Sequence, residues 1–257
     1  MPRVPRQRSS SGIYHIMLRG ANRQEIFHDT QDNARFLETL KKYKIESEIK
    51  VYGWCLMGNH VHLLLQEGKE DLAVTMKRIG VSYVSFYNLK YKTTGHLFQD
   101  RYRSENVEND SQLLAVVRYI HQNPVRAGIV NKPEEWKWSS CQGYYNQSAY
   151  PSLLLDSDFI LKMFAEDNKA AVEEFSRFNE LMTEDTCLDE KIELRMTDEE
   201  AREKINKALT GLNLANIKSL PKQQRDEIIR EIKNIDGLTQ RQISRITGVS
   251  LSLISRA

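Results

Sequence analysis

Apolar residues recur along this chain with two different periods. Short runs of strand character come first. "IYHIMLRG" (13–20) reads as a strand, and "IKVYGWCLM" (49–57) and "HVHLLLQ" (60–66) read as two more, joined at Gly58-Asn59 in a hairpin turn. Between the first two, "ANRQEIFHD" is a turn leading to a helix near Thr30–Tyr43, with Phe36, Leu37 and Leu40 at helical spacing. A longer helix is predicted from about Asp71 to Tyr91, with Leu72, Met76, Ile79, Tyr83 and Phe86 along it. "GHLFQDRYRSENVEN" is extended, with a strand around Tyr102–Val107. "DSQLLAVVRYIHQNPVRAG" is a helix capped by Asp110 or Ser111, and Pro124 marks where it ends or bends. The order is β-α-β-β-α-β-α. Its first six elements have the ferredoxin-like order, an α+β fold whose antiparallel sheet carries helices on one face. The third strand lies near the middle, and the last helix can lay its side chains against the sheet.

From about Pro151 the pattern becomes helical and charged, so the expected division is 1–150 and 151–257. "SDFILKMFAEDNKAAVEEFSRFNEL", "TDEEAREKINKAL" and "PKQQRDEIIREIKNI" are amphipathic. In about 236–257, Ser244, Gly248 four on and Ile254 fit two helices joined by a tight turn, a helix-turn-helix or an ordinary helical hairpin. In the first reading Arg245 and Ser250 face duplex DNA.

Composition narrows the classes. No apolar run is long enough to cross a bilayer, and the basic N-terminus has no apolar stretch behind it, which argues against a signal peptide. Cys55, Cys141 and Cys187 are scattered, with no CxxC, which fits a reducing cytoplasm. Residues 1–150 hold 21 Lys and Arg against 15 Asp and Glu, and the remainder 16 against 20, so the net charge of +2 conceals a basic first part. That favours a polyanion partner for the first part. "MPRVPRQRSSSG", with Arg3, Arg6 and Arg8, is a disordered tail or an arm that contacts phosphates.

His60 and His62 are two apart in a strand and project from one face. They are either half of a metal site or a pair of satisfied, partly buried histidines. Tyr119 and Asn123 are four apart on one helix face. An Asn carbonyl oxygen suits a hard cation, and a phenol can attack phosphorus while a metal polarises a phosphodiester oxygen. Arg19, Asn22 and Arg23 form a loop that could hold phosphate. Arg101 and Arg103 are expected on one face of the fourth strand, and Arg118 and Arg126 bracket Tyr119. As a group these arginines favour phosphate binding. Tyr14, Trp54, Phe98 and Tyr102 are base-stacking or core residues. His15, His28, His96 and His121 lack a second ligand at a useful spacing and receive no role.

Five stretches in order carry a resemblance: "YHIMLRGANRQEIF", "YGWCLMGNHVHLLL", "GHLFQDRYRSENVE", "LLAVVRYIHQNPVRAGIV" and "WKWSS", over roughly residues 1–145. They resemble the HUH superfamily of single-tyrosine transposases (His, hydrophobic residue, His), and within it the REP-associated group. The resemblance implies a metal-dependent endonuclease and strand transferase for single-stranded DNA near a hairpin. It implies Mg²⁺ or Mn²⁺ held by His60, His62 and Asn123, with Tyr119 as nucleophile and a 5′-phosphotyrosine intermediate. Monomeric and dimeric action are both known in such families. The competing readings are a domesticated hairpin-DNA-binding or regulatory protein that does not cleave, and a metal phosphoesterase unrelated to DNA.

Overall fold

The computed structural model describes residues 7–145, 149–181, 198–209, 214–235 and 237–256. It divides into two compact units, Met1–Asp189 and Glu190–Ala257. The first unit follows the expected order: β1 (Ile13–Arg19), α1 (Thr30–Ser47), β2 (Lys50–Met57), β3 (His60–Gln66), α2 (Leu72–Tyr91), β4 (Arg103–Val107) and α3 (Asp110–Arg126). The four strands form one antiparallel sheet in the order β2-β3-β1-β4.

Alternation along the strands sorts their side chains onto two cores. Ile16, Leu18, Val61, Leu63 and Trp54 face α1 and α2, where Phe36, Leu40, Met76 and Tyr83 complete the first core. Ile13, Leu64, Cys55 and Val107 belong to a second core with Leu113, Val117 and Ile120 of α3. The sheet therefore has two helices on one face and α3 on the other. This is why "HVHLLLQ" is apolar at nearly every position: β3 is covered on both sides. Between Val51 and Gly53 the β2–β3 register slips, and Tyr52 is the additional residue. Residues 138–140 run along the outer edge of β2, with Leu56 N–H donating to the Trp138 carbonyl and Ser140 N–H to that of Trp54. A strand edge that would otherwise pair with another chain is thereby covered.

Two local expectations change. Asn109, rather than Asp110 or Ser111, caps α3, its side chain accepting from Gln112 N–H. Pro124 lies inside α3, which continues to Arg126.

The first unit also extends past residue 150. The stretch expected as one amphipathic helix is two, α5 (Asp158–Leu161) and α6 (Asn168–Glu180), after a short α4 (Cys141–Tyr144). Ile160, Leu161, Ala171 and Phe175 join the α3-side core, so this segment completes the sheet domain. Phe175 stacks on Tyr144 at 4.5 Å. Fully buried His121 of α3 is held at both ring nitrogens, by the Asn179 side chain at 3.1 Å and by Ser140 Oγ at 2.9 Å. Cys55 and Cys141 are buried free thiols, pushed up by burial, Cys141 to about 12; Cys187 lies outside the described residues.

The second unit contains α7 (Asp198–Ala208), α8 (Lys222–Lys233), α9 (Gln240–Thr247) and α10 (Leu251–Arg256). Ala201, Ile205, Ile229, Ile232, Ile243 and Ile254 form its core. Thr239 and Gln242 make a capping box at the start of α9. Gly248 ends α9 with φ 69°, a left-handed conformation suited to glycine, and its N–H returns to the Ser244 carbonyl. The expected turn at Gly248 is present. Among the described residues no helix is long and apolar enough to cross a membrane.

Candidate active site

In an antiparallel pair, directly opposed residues share a face. His62 stands opposite Met17, His60 opposite Arg19, and His15 opposite Leu64. His15, Met17, Arg19, His60 and His62 therefore lie on the α3 side of the sheet. Tyr119 of α3 comes down onto them. Its ring centroid is 5.7 Å from that of His62 and 5.8 Å from that of His15. The His60 and His62 rings are 5.0 Å apart and nearly perpendicular. Tyr119 and His62 are buried, and His60 is half-buried, which makes its side the less enclosed one.

His15 is the residue that sequence spacing missed. It is fully buried, and its Nε2 lies 2.9 Å from His62 Nδ1. Its Nδ1 lies 3.9 Å from a carboxylate oxygen of Glu105 on β4. His60 Nδ1 is 2.7 Å from Asn59 Oδ1. The Asn59 amide nitrogen donates to the Arg23 carbonyl at 3.3 Å, which leaves Oδ1 as the atom facing His60. The 58–59 turn thus serves the imidazole as well as the hairpin. Among the described residues no group of three or more His, Cys, Asp or Glu is placed to hold a metal ion.

Asn123 sits one turn along α3 from Tyr119 and is 8% exposed. Its amide nitrogen donates to the Tyr119 carbonyl at 2.9 Å. One side of the amide is thus fixed by the helix, and Oδ1, an acceptor, lies on the other.

The basic residues separate. Arg126 lies over the Tyr119 ring, its guanidinium carbon 5.2 Å from the centroid. Arg19 is at the site through its register with His60. Asn22 and Arg23 are exposed in a 3-10 turn, both with positive φ. That turn is held close by Gly20, where a Cβ would come within 2.1 Å of the Gln24 carbonyl oxygen. Arg118 does not join the group. It is 9% exposed, lies 4.2 Å over the Phe178 ring and donates to the Phe178 carbonyl, fastening α6 to α3. Arg101 and Arg103 do not share a face either: Arg103 opposes Met17, whereas Arg101 precedes β4 and lines a cleft on the α2 side. Arg8 is exposed and paired with Asp71 at 2.9 Å; Arg3 and Arg6 lie outside the described residues. Tyr14, Trp54 and Tyr102 are core, and only Phe98 remains half-buried. In the second unit, Arg245 and Ser250 are exposed on either side of the Gly248 turn.

Residues 8–123 match the family described as IS200-like transposases. A protein of Haemophilus influenzae, provisionally named a REP-associated tyrosine transposase, is 21% identical over 166 residues, covering 59% of this chain and 92% of the relative. The REP-associated tyrosine transposase of Escherichia coli K12 is 24% identical over 112 residues, covering 43% of this chain and 65% of that protein. A solved REP-associated tyrosine transposase bound to a REP hairpin aligns with a TM-score of 0.49 at 20% identity, over 59% of this chain and 89% of that one.

Proposed function

We propose that this chain, which belongs to the IS200-like transposase family through residues 8–123, nicks and rejoins single-stranded DNA beside a hairpin, with Tyr119 as nucleophile. The observation that carries the reading is the packing of the Tyr119 ring against His62, with His60 alongside and Arg126 over the ring. Relatives named as REP-associated tyrosine transposases support a REP-type DNA element as the partner.

The residues fit a divalent cation, Mg²⁺ or Mn²⁺. Asn59 Oδ1 accepts from His60 Nδ1–H, which puts the lone pair of that ring on Nε2. Glu105 favours the proton of His15 on Nδ1, so His15 Nε2 accepts from His62 Nδ1–H, and His62 also presents Nε2. With Asn123 Oδ1 this makes two imidazole nitrogens and one amide oxygen. A cation bound there would withdraw charge from a non-bridging phosphate oxygen.

The protein's own part is to hold the phenol and the phosphate. The Tyr119 oxygen forms a bond to phosphorus and loses its proton. The bond from phosphorus to the 3′-oxygen breaks, and that oxygen takes up a proton. The products are a 5′-phosphotyrosine and a free 3′-hydroxyl, and attack by a 3′-hydroxyl reverses the step. Arg126 and Arg19 offset phosphate charge.

In the second unit, the α9–turn–α10 pair is a candidate contact to duplex DNA through Arg245 and Ser250. The test of the main reading is covalent trapping. End-labelled hairpin DNA is incubated with the protein and Mg²⁺, Mn²⁺ or EDTA, then run on a denaturing gel beside Tyr119→Phe. The expected result is a metal-dependent adduct through the DNA 5′ end, absent from Tyr119→Phe and strongly reduced in His60→Ala. Binding without any adduct, with either metal, overturns the strand-transfer reading and leaves a non-cleaving hairpin binder.

A further inference from the structure

On the sheet face opposite Tyr119, α2 and residues 95–102 enclose a cleft of about 810 Å³. Leu18, Met76, Val84 and Phe98 supply apolar lining. Lys77 and Arg101, both exposed, also line it. Asp100, the acidic residue of the lining, has one carboxylate oxygen accepting from the Arg101 backbone N–H at 2.8 Å.

Gly80 is the informative position. It lies inside the 20-residue helix α2 and lines the cleft, yet a Cβ built there meets nothing within 4 Å. Glycine weakens a helix interior, and a common reason to keep one is close packing of a neighbour. Here no neighbour needs the room, so the glycine keeps the cleft open. Next to it, Val81 is 59% exposed.

The cleft is joined to the His60 side of the sheet through the end of β1. Gln99 N–H donates to the Arg19 carbonyl at 2.9 Å, and Gly20 bridges to Phe98. Leu18, in the cleft lining, is one residue from Arg19, which stands opposite His60.

We propose that this cleft takes unpaired bases of the single strand whose phosphate reaches the Tyr119 cluster; the inference rests on the strand-transfer reading above. Apolar walls with an aromatic ring suit the flat face of any base, and the two cations at the edge suit the phosphates that accompany it. Those cations, and the continuity with the His60 side through β1, favour DNA over a second copy of this chain as the occupant.

The experiment uses the full chain carrying Tyr119→Phe, so that binding is read without cleavage. Affinity is measured by fluorescence anisotropy for a hairpin with a single-stranded tail and for the same hairpin without it. Gly80→Leu should weaken binding of the tailed hairpin roughly 5- to 150-fold, the loss of one stacked base, and leave the untailed hairpin unchanged. Gly80→Ala should fold with an undiminished thermal midpoint, showing that the helix itself does not need glycine. Should Gly80→Leu fail to fold, 4-thiothymidine in the tail decides: photo-crosslinks to Met76, Phe98 or Tyr102 support the proposal. Crosslinks only elsewhere overturn it, as does tail binding that Gly80→Leu leaves intact. A change of oligomeric state in Gly80→Leu with DNA affinity unchanged assigns the cleft to a second copy and overturns it too. The adduct assay with native Tyr119 is read separately, so failure of the cleft and failure of strand transfer are distinguishable.

Discussion

His121 should make the first unit acid-sensitive. Its ring is fully buried between Ser140 and Asn179, and burial lowers its pKa from 6.5 to about 4, against a smaller opposing effect of the Asn179 hydrogen bond. In the unfolded chain the ring takes a proton near pH 6.5; in the folded protein it resists until about pH 4. A depressed pKa gives stability that is present above the unfolded value and lost as pH falls through the folded one. The window is therefore pH 6.5 to 4. At about 1.36 kcal/mol per unit the loss is about 3 kcal/mol, roughly 300-fold in the folding constant. The structural reason is the bonding of the neutral ring. Asn179 Oδ1 accepts from Nδ1–H while the Ser140 hydroxyl donates to Nε2, and a second ring proton takes that acceptor away. The assay is urea unfolding followed by tryptophan fluorescence, since Trp54, Trp136 and Trp138 all belong to the first unit. His121→Gln should cost about 1–2 kcal/mol near neutral pH from imperfect hydrogen bonding. Between pH 6.5 and 4 the native protein should then lose about 3 kcal/mol more than the variant. Carboxylates titrate in both proteins and cancel in the difference. Parallel stability curves over that window would refute the reasoning.

The other predictions concern the site. His15→Ala removes the acceptor that fixes the His62 ring and should raise the Mn²⁺ concentration for half-maximal cleavage by roughly 10- to 100-fold, with partial recovery in His15→Gln; identical metal titrations would remove His15 from the site. Arg126→Ala should weaken single-strand binding and reduce the salt slope by roughly 0.7, the value for one lost phosphate contact. Arg118→Ala should leave that slope unchanged and instead lower the urea midpoint, because its guanidinium serves Phe178; an altered slope in Arg118→Ala would mean that it meets phosphate.

The periods of the sequence disclose the sheet because burial on a strand is a property of one element at a time. They do not disclose diagonal contacts between strands. His15 looks isolated along the chain, since no second ligand lies two or four residues away. The β1–β3 register brings it beside His62, and that register is fixed by turns and core packing, outside any local window. The signal was present only as parity: His15, Met17 and Arg19 alternate on one side of β1, and so do His60 and His62 on β3. Arg118 illustrates the converse. Being next to Tyr119 in sequence turns a helical side chain by about 100°, far enough to send Arg118 toward α6 and away from the Tyr119 cluster.

The same geometry explains the domain boundary. His121 is two residues from Tyr119, so the two rings leave α3 on nearly opposite sides. Tyr119 meets the sheet, and the side that carries His121 needs a cover. Charge and helical character after residue 150 describe the solvent face of the segment that follows, and they suggest a separate domain. Its buried face says otherwise: Phe175 and Asn179 close over Tyr144, Cys141 and His121. His121, one residue from Ile120 and four from Val117, was the available sign, because a buried imidazole needs partners at both nitrogens and none stood nearby in the sequence. The helix that carries Tyr119 is thus held from both sides, by β-sheet histidines on one and by α6 on the other.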